Sequence, residues 1–361
     1  MRLHRTPTRL MAALFALLGL ARVAPGQDAA LTALQVFPPE ASLTTSRARQ
    51  SFVVQAHYAD GITREVTAQC KLTIVNPAVA RLAGNVVYPV ADGATELKVE
   101  FAGKTVSAPL KIKDAKTERP ISFRLDVMPI FMAAGCNAGG CHGAARGKDG
   151  FRLSLFGFDP EGDHFRLTRE MNGRRINLAL PGESLLLEKA TGKVPHTGGS
   201  RFTDSHEWHQ TIVRWLEARA PNDDPRVAQP VSVELFPKTI VLDGKGATQQ
   251  MVVKARYSDG TERDVTSLSL FLSNNENSAK ISSSGLVTAG ERGEAFVMAR
   301  FHTFTVGSQV IALPKGLKFA WTNVPEHNYI DRLVNAKLKK LRITPSELCD
   351  DETFLRRVYL D

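Results

Sequence analysis

A chain of 361 residues is long enough for two to three domains. Its 46 lysines and arginines outnumber 37 acids, for a formal charge of +9 at pH 7, yet no basic run interleaved with aromatics marks a nucleic-acid surface. Four cysteines over this length exclude a disulfide-scaffold protein.

The first 26 residues read as an export signal. Arg2, Arg5 and Arg9 precede an apolar run from Leu10 to Ala21, and small residues around Ala24 and Gly26 lead into a polar chain. The run is too short to anchor the chain in a bilayer, and no transmembrane helix is expected after it. Cleavage removes four arginines and no acids, so the charge falls from +9 to +5. Much of the basicity therefore belongs to the signal. Export also places the thiols in an oxidising compartment. Cys70 and Cys349 lie in separate segments and read as isolated thiols, with a bridge between them as the alternative.

A β unit over 28–114 recurs over 230–315. Val53-Val-Gln-Ala-His-Tyr-Ala-Asp-Gly-Ile-Thr-Arg-Glu-Val-Thr67 returns as Val252-Val-Lys-Ala-Arg-Tyr-Ser-Asp-Gly-Thr-Glu-Arg-Asp-Val-Thr266. Both copies alternate apolar and polar residues and break at Asp60-Gly61 or Asp259-Gly260. Asp-Gly suits the positive φ values of a tight two-residue turn, so each copy is expected to be a β-hairpin. Leu31 to Phe37 and Val231 to Phe236 open each unit with a strand followed by proline. Asn85 to Val90 and Ser282 to Thr288 read as later strands. Each unit has the length of a small β-sandwich.

Between the repeats, over 121–224, the alternation stops, glycine rises, and five of the nine histidines appear. The expectation is a small all-α domain. Val127, Ile130, Phe131 and Ala134 have helical spacing and lead into Cys136-Asn-Ala-Gly-Gly-Cys141-His142. Two thiols with a histidine directly after the second suit two thioether bonds to a haem, with the imidazole on the iron. The usual spacing places two residues between the cysteines, and here there are four. The alternative is a Cys136–Cys141 disulfide closing a glycine-rich loop. Zinc needs four ligands, and no second Cys/His pair stands at suitable spacing. A Cys/His nucleophile dyad lacks an orienting group, and neighbours in sequence seldom face each other.

Further on, Asp159-Pro160 is an N-cap with proline at the first helical position. Glu183 to Lys189 reads as a short helix, and Asp204-x-x-Glu207 as a capping box for a last one. Trp208, Ile212, Trp215 and Leu216 form its expected buried stripe, closed by Pro221. After the second β unit, the segment 325–361 turns helical. Ile330, Leu333, Val334, Leu338 and Leu341 make one apolar face, and Phe354, Leu355, Val358 and Tyr359 mark a second helix.

The two β units resemble the bacterial immunoglobulin-like group 2 domain. The shared features are the Tyr-x-Asp-Gly hairpin, the Val-Thr after it, and Ser-Gly-Leu-Val-Thr-Ala at 284–289, eroded in the first copy to Ala83-Gly-Asn-Val-Val-Tyr88. Such domains commonly serve as stalks or spacers at cell surfaces. The whole mature chain is similar to planctomycete-type cytochrome-c-like secreted proteins. The motifs are Gly135 to Gly143, Gly150-Phe-Arg-Leu-Ser-Leu155, Gly173-Arg-Arg-Ile-Asn177, Ser184-Leu-Leu-Leu187 and Val194-Pro-His-Thr-Gly-Gly199. In that family a haem-like module sits among immunoglobulin-like repeats and precedes large domains of unknown function. The resemblance implies that 325–361 opens such a domain and that the chain stops inside it.

It also implies one covalent haem c on Cys136 and Cys141, with His142 as proximal iron ligand. Small cytochromes commonly present a distal methionine from a Met-Pro-Pro-Gly-Gly loop. Here Val194 occupies that slot and cannot bind iron, so His196 stands as the distal candidate, a ligation that lowers the reduction potential. Met132 and Met171 are expected to fill core gaps. His164 is expected on a charged helix face, and His206 and His209 at solvated positions. Arg174 and Arg175 could pair with haem propionates, with a solvated basic turn as the other reading. The expected protein is an exported electron carrier or binding protein rather than an enzyme, at the cell surface or in the periplasm, with a redox partner protein. A haem peroxidase would need the distal position open. The alternative is a structural or adhesive surface protein with a disulfide and no haem.

Overall fold

The computed structural model of the protein describes residues 29–360 apart from Asn172; the expected export signal lies outside the described residues. Two β-sandwiches flank a small helical region, and two helices follow the second sandwich. In the first sandwich, Val53–Tyr58 lies between Leu31–Phe37 and Thr63–Glu65. The other layer orders Ala41–Thr44, Lys104–Lys113, Gly93–Phe101 and Lys71–Ile74. The second sandwich repeats this order, with Pro230–Phe236, Val252–Tyr257 and Glu262–Asp264 in one layer. Its other layer holds Thr239–Asp243, Phe304–Leu313, Gly293–Phe301 and Leu270–Ser273. Inward faces bury Leu43, Phe52, Leu97 and Leu110 in the first core, and Leu235, Tyr257, Val297 and Phe301 in the second.

The hairpins differ from the two-residue turn expected. Only the glycine of each Asp-Gly pair has positive φ, 81° at Gly61 and 79° at Gly260. Gly61 N–H donates to the Tyr58 carbonyl at 2.9 Å, and Tyr58 N–H to the Ile62 carbonyl at 3.0 Å. Asp60 contributes its side chain instead, with Oδ1 accepting from Ile62 N–H at 3.0 Å. The loop is a turn closed by a glycine bulge, and the aspartate stabilises it by hydrogen bonding.

The sandwiches pair through equivalent elements. Ser51 N–H donates to Asp264 at 2.8 Å, and Gln250 N–H to Glu65 at 2.7 Å. Likewise Ser42 N–H donates to Glu262 at 3.3 Å, and Val241 N–H to Thr63 Oγ1 at 2.9 Å. The repeat aligns Ser51 with Gln250, Glu65 with Asp264, Ser42 with Val241, and Thr63 with Glu262. The interface is therefore isologous, like that of a two-fold dimer made from one chain.

In the helical region a π-helical turn, Phe123–Val127, runs into α1 (Met128–Ala133). Then come α2 (Pro160–Thr168), α3 (Leu185–Thr191) and α4 (Glu207–Glu217). Phe123, Ile130, Leu153, Leu167 and Trp215 are fully buried at its centre, each stabilising the fold by roughly 1.5–3 kcal/mol. Asp159 caps α2, accepting from Gly162 N–H at 3.0 Å. The cap of α4 corrects expectation: His206 Nδ1 accepts from Trp208 N–H at 3.2 Å, while Asp204 pairs with Lys193 at 2.8 Å. Ile212, Trp215 and Leu216 are buried and Trp208 is half-buried. Trp215 Nε1 donates to the Pro221 carbonyl at 2.9 Å.

Arg49 of the first sandwich bonds Glu207 of α4 at 2.7 Å and Ser267 of the second sandwich at 3.2 Å, so one side chain joins three modules. Helix α5 (Tyr329–Leu341) opens on a capping box of Asn328 and Asp331. It packs through Asn335, Leu338 and Leu341, whereas Ile330, Leu333 and Val334 of the expected apolar face are exposed. Helix α6 (Asp351–Leu360) leaves Phe354, Leu355, Val358 and Tyr359 exposed. Among the described residues no helix is long and apolar enough to cross a membrane.

Candidate functional site

Just past the end of α1, Gly135, with a φ of 73°, turns the chain into the cysteine loop. Cys136 N–H donates back to the Phe131 carbonyl at 2.8 Å, and His142 N–H to the Cys136 carbonyl at 3.0 Å. The loop is tight: a Cβ on Gly143 would stand 2.0 Å from the Asn137 carbonyl oxygen. His142 is then fixed by its ring, with Nδ1 2.9 Å from the Phe151 carbonyl oxygen and the ring 4.7 Å from that of Phe151. Gly147, at φ 65°, makes room for the same carbonyl, since a Cβ there would lie 2.3 Å from it.

His196 comes from the loop after α3. Lys189 Nζ donates to the Pro195 carbonyl at 2.9 Å, and His196 Nδ1 lies 2.9 Å from the Gly199 carbonyl oxygen. The two imidazoles are parallel to within 5°, with centres 6.4 Å apart. Each has Nδ1 tied to a backbone carbonyl, which leaves Nε2 as the nitrogen that can take a ligand. Ligating histidines are commonly oriented in this way.

Cys136, Cys141, His142 and His196 all line one cavity of about 260 Å³. Phe131, Leu153, Leu186, Phe202 and Ile212 make it apolar, and five cationic residues with one acid, Asp149, complete it. The lining suits an apolar ligand that carries anionic groups. Arg174 lines the cavity. Arg175 lines it too, but its guanidinium is occupied by the carbonyls of Arg166, Glu170 and Gly150 at 2.7–2.9 Å, and it stacks over Phe151 at 4.6 Å. Arg201 joins them without any sequence signal. Its Nη2 lies 3.8 Å from Cys141 Sγ, and its buried Nε meets no acceptor among the described residues.

All four cysteines are free thiols. Burial pushes the Cys136 thiol up to about 11. Burial also lowers His142, with the nearby His196 adding to the effect. Among the described residues no three His, Cys, Asp or Glu side chains form a metal-binding group. A haem asks less of the protein, because the porphyrin fills four positions on the iron. Two histidines holding one iron would have ring centres about 6 Å apart and would turn edge-on to it, because the nitrogen lone pairs lie in the ring planes. The observed pair has the centre distance, while the stacked rings would need to turn.

The remaining expectations divide. Met132 is buried, but Met171 is 57% exposed, at φ 52°, on the cavity wall. His164 is not solvated: Nε2 bonds the Ala220 carbonyl at 2.9 Å, and the ring packs edge-on to Phe123 and Trp215. His206 serves as the α4 cap, and His209 is buried, 3.8 Å from Asp204.

The chain matches no protein-family model and no curated sequence. Among solved structures it is similar to domains 5–6 of the S-layer protein SbsC, at 11% identity over 79% of this chain and 99% of that one, with a TM-score of 0.31. Domains 4–9 of the same protein align at 11% identity over 79% of this chain and 32% of that one, with a TM-score of 0.29. Neural ectodermal development factor IMP-L2 aligns at 10% identity over 78% of this chain and 94% of that one, with a TM-score of 0.24. By its own strand order, the protein is a pair of β-sandwiches around a small helical region, with helices at its C-terminal end.

Proposed function

We propose that the protein is an exported c-type haem protein, an electron carrier at the cell surface or in the periplasm whose two immunoglobulin-like domains act as spacers. One observation carries this reading: parallel His142 and His196 rings, both tied at Nδ1, sharing an apolar cavity with two free thiols. Cys136 and Cys141 would hold the thioethers, and His142 and His196 the iron. When bound, the haem supplies one-electron redox chemistry.

The chain's own residues prepare the site. The Phe151 and Gly199 carbonyls fix which ring nitrogen faces the cavity. Phe131, Leu153 and Phe202 exclude water from it, and Arg174 and Arg201 supply positive charge for carboxylates at its edge. A pyridine haemochrome spectrum tests the reading on protein made in a strain competent for cytochrome c maturation. Haem that stays with the protein after acid–acetone extraction is the expected result; haem that extracts, or none at all, contradicts it.

A second reading rests on the paired sandwiches, which build a connected β framework without any cofactor. In that reading the protein is a structural or adhesive surface protein, and Cys136 and Cys141 oxidise to a disulfide.

A further inference from the structure

The duplication allows the outward faces of the two sandwiches to be compared position by position, because the strands pair in the same register in both copies. In the first sandwich Lys71, Thr73, Glu96, Lys98 and Glu100 alternate with core residues and face outward. Glu100 pairs with Lys98 at 2.6 Å and with Lys71 at 3.7 Å. That is a solvated face of an antiparallel sheet. The counterparts in the second sandwich are Leu270, Leu272, Phe296, Met298 and Arg300. Leu272 is 39% exposed and Phe296 44%. One fold thus carries a charged outer face in the first copy and an apolar one in the second, which marks the second as a contact surface.

Two walls bound the apolar strip. At one end Lys337 of α5 pairs with Glu294. At the other the Arg300 guanidinium lies 4.7 Å over the Phe156 ring, and Phe156 holds a φ of 55°, which is disfavoured for a bulky residue. The strand from Glu294 to Arg300 spans about 20 Å, room for one helix about 10 Å across. Arg300 donates to Thr305 Oγ1 at 3.3 Å and has no carboxylate partner among the described residues.

Helix α6 has the complementary features. Its stripe of Phe354, Leu355, Val358 and Tyr359 is 57–81% exposed. Ten residues of helix without a partner are marginal in water. Asp351 and Glu352 stand in its first turn, directly after Asp350, and supply the charge that Arg300 lacks. The tether is anchored close by. Arg292, just before the strand Gly293–Phe301, donates through Nη2 to the Arg342 carbonyl at 2.6 Å. The segment 343–350 reaches about 25 Å when extended, more than the roughly 17 Å of strand between Gly293 and Met298.

We propose that the outer face of the second sandwich is a docking site for an amphipathic helix, and that α6 of the same chain is its occupant. The apolar stripe would rest on Leu272, Phe296 and Met298, with the acidic first turn at Arg300. A docked α6 would border the candidate site, because Leu155, next to Phe156, lies against the cysteine loop, its Cδ1 3.8 Å from where a Cβ on Gly139 would stand.

Hydrogen exchange of the full mature chain, read by peptide mass, tests the proposal. Amides of α6 are expected to exchange at least about tenfold more slowly than those of 343–350. The variant Leu272→Thr/Phe296→Glu/Met298→Lys carries at each position the residue of the first sandwich, which this fold accepts. It should bring α6 to the rate of the tether while Val252–Tyr257 keeps its protection. Wild-type α6 that exchanges as fast as the tether overturns the proposal, as does undiminished α6 protection in the folded triple variant. Sedimentation velocity should show a monomer; a dimer that the triple variant dissociates would put a second copy's helix on this face and overturn docking within one chain.

Discussion

Phe37 and Phe236 stack with ring centres 5.8 Å apart and planes 22° apart. Each ends the opening strand of its sandwich, and the repeat makes them equivalent. The contact joins a residue to its own counterpart, as happens on the axis of a two-fold dimer. Around it run the reciprocal hydrogen bonds from Ser51 to Asp264 and from Gln250 to Glu65. The duplication thus supplies an internal interface as well as two similar domains.

Removing either carboxylate should cost stability, and Asp264 more than Glu65, because Asp264 also accepts from Thr266 N–H at 2.9 Å and Thr266 Oγ1 at 2.6 Å. Asp264→Ala leaves Ser51 N–H without its acceptor, and Glu65→Ala does the same to Gln250 N–H. A part-buried donor left unmade costs about 1–3 kcal/mol. Urea unfolding of both variants should show losses in that range. Stability unchanged in both would mean that these bonds do not hold the sandwiches together.

Arg175 should matter more to the fold than to the ligand. Its guanidinium bonds three backbone carbonyls and Glu170 at 2.7–3.0 Å. Lysine cannot present that planar fork, so Arg175→Lys should destabilise the protein by roughly 1.5–3 kcal/mol. Arg174→Lys should leave thermal unfolding nearly unchanged, which a melting curve checks directly.

Acidification should weaken the apo protein. Burial lowers His142, His57 and His302 below their ordinary value of 6.5. Below that value the unfolded chain binds more protons than the folded one, so stability rises with pH there. The contribution is complete above about pH 6.5 and is lost as pH falls through the folded values. Denaturant midpoints from pH 7.5 down to about pH 5 should decline, and less steeply in His142→Gln, which removes one of the three groups. An equal slope in that variant would remove His142 from the titration.

His196→Ala separates the distal ligand from the attachment site. In haem-loaded protein it should convert the ferric spectrum from low to high spin while the haem stays covalently bound. The loop carrying His196 is surface-lying, so the melting temperature of the apo protein should hardly change. An unaltered low-spin spectrum would assign the sixth position to another group, with Met171 on the cavity wall as the first to examine.

Much of the fold is legible in the residues. Period-two alternation around the Asp-Gly pairs reveals both sandwiches, and helical spacing locates α1 and α4. The joining of the sandwiches is not legible, because Ser51 and Asp264 meet only once two folded edges come together. At the candidate site, Cys136, Cys141, His142 and His196 are visible as residue types, and the structure brings all four to one cavity. The groups that orient the histidines are not, since the Phe151 and Gly199 carbonyls belong to the backbone and carry no side-chain signal. Arg201 stands alone after Gly198-Gly199-Ser200 and becomes significant only through its approach to Cys141. His206 escapes pattern reading because histidine is an uncommon helix cap beside the more regular Asp204 and Glu207.

The most direct test is the intact mass of the mature protein purified without reductant from a maturation-competent strain. A c-type haem protein gains the mass of one haem, located by peptide mapping on Cys136 and Cys141 and lost together in Cys136→Ser/Cys141→Ser. A mass two hydrogens below that of the reduced chain, removed by reductant and mapping to the same two cysteines, would contradict the haem reading and establish the disulfide.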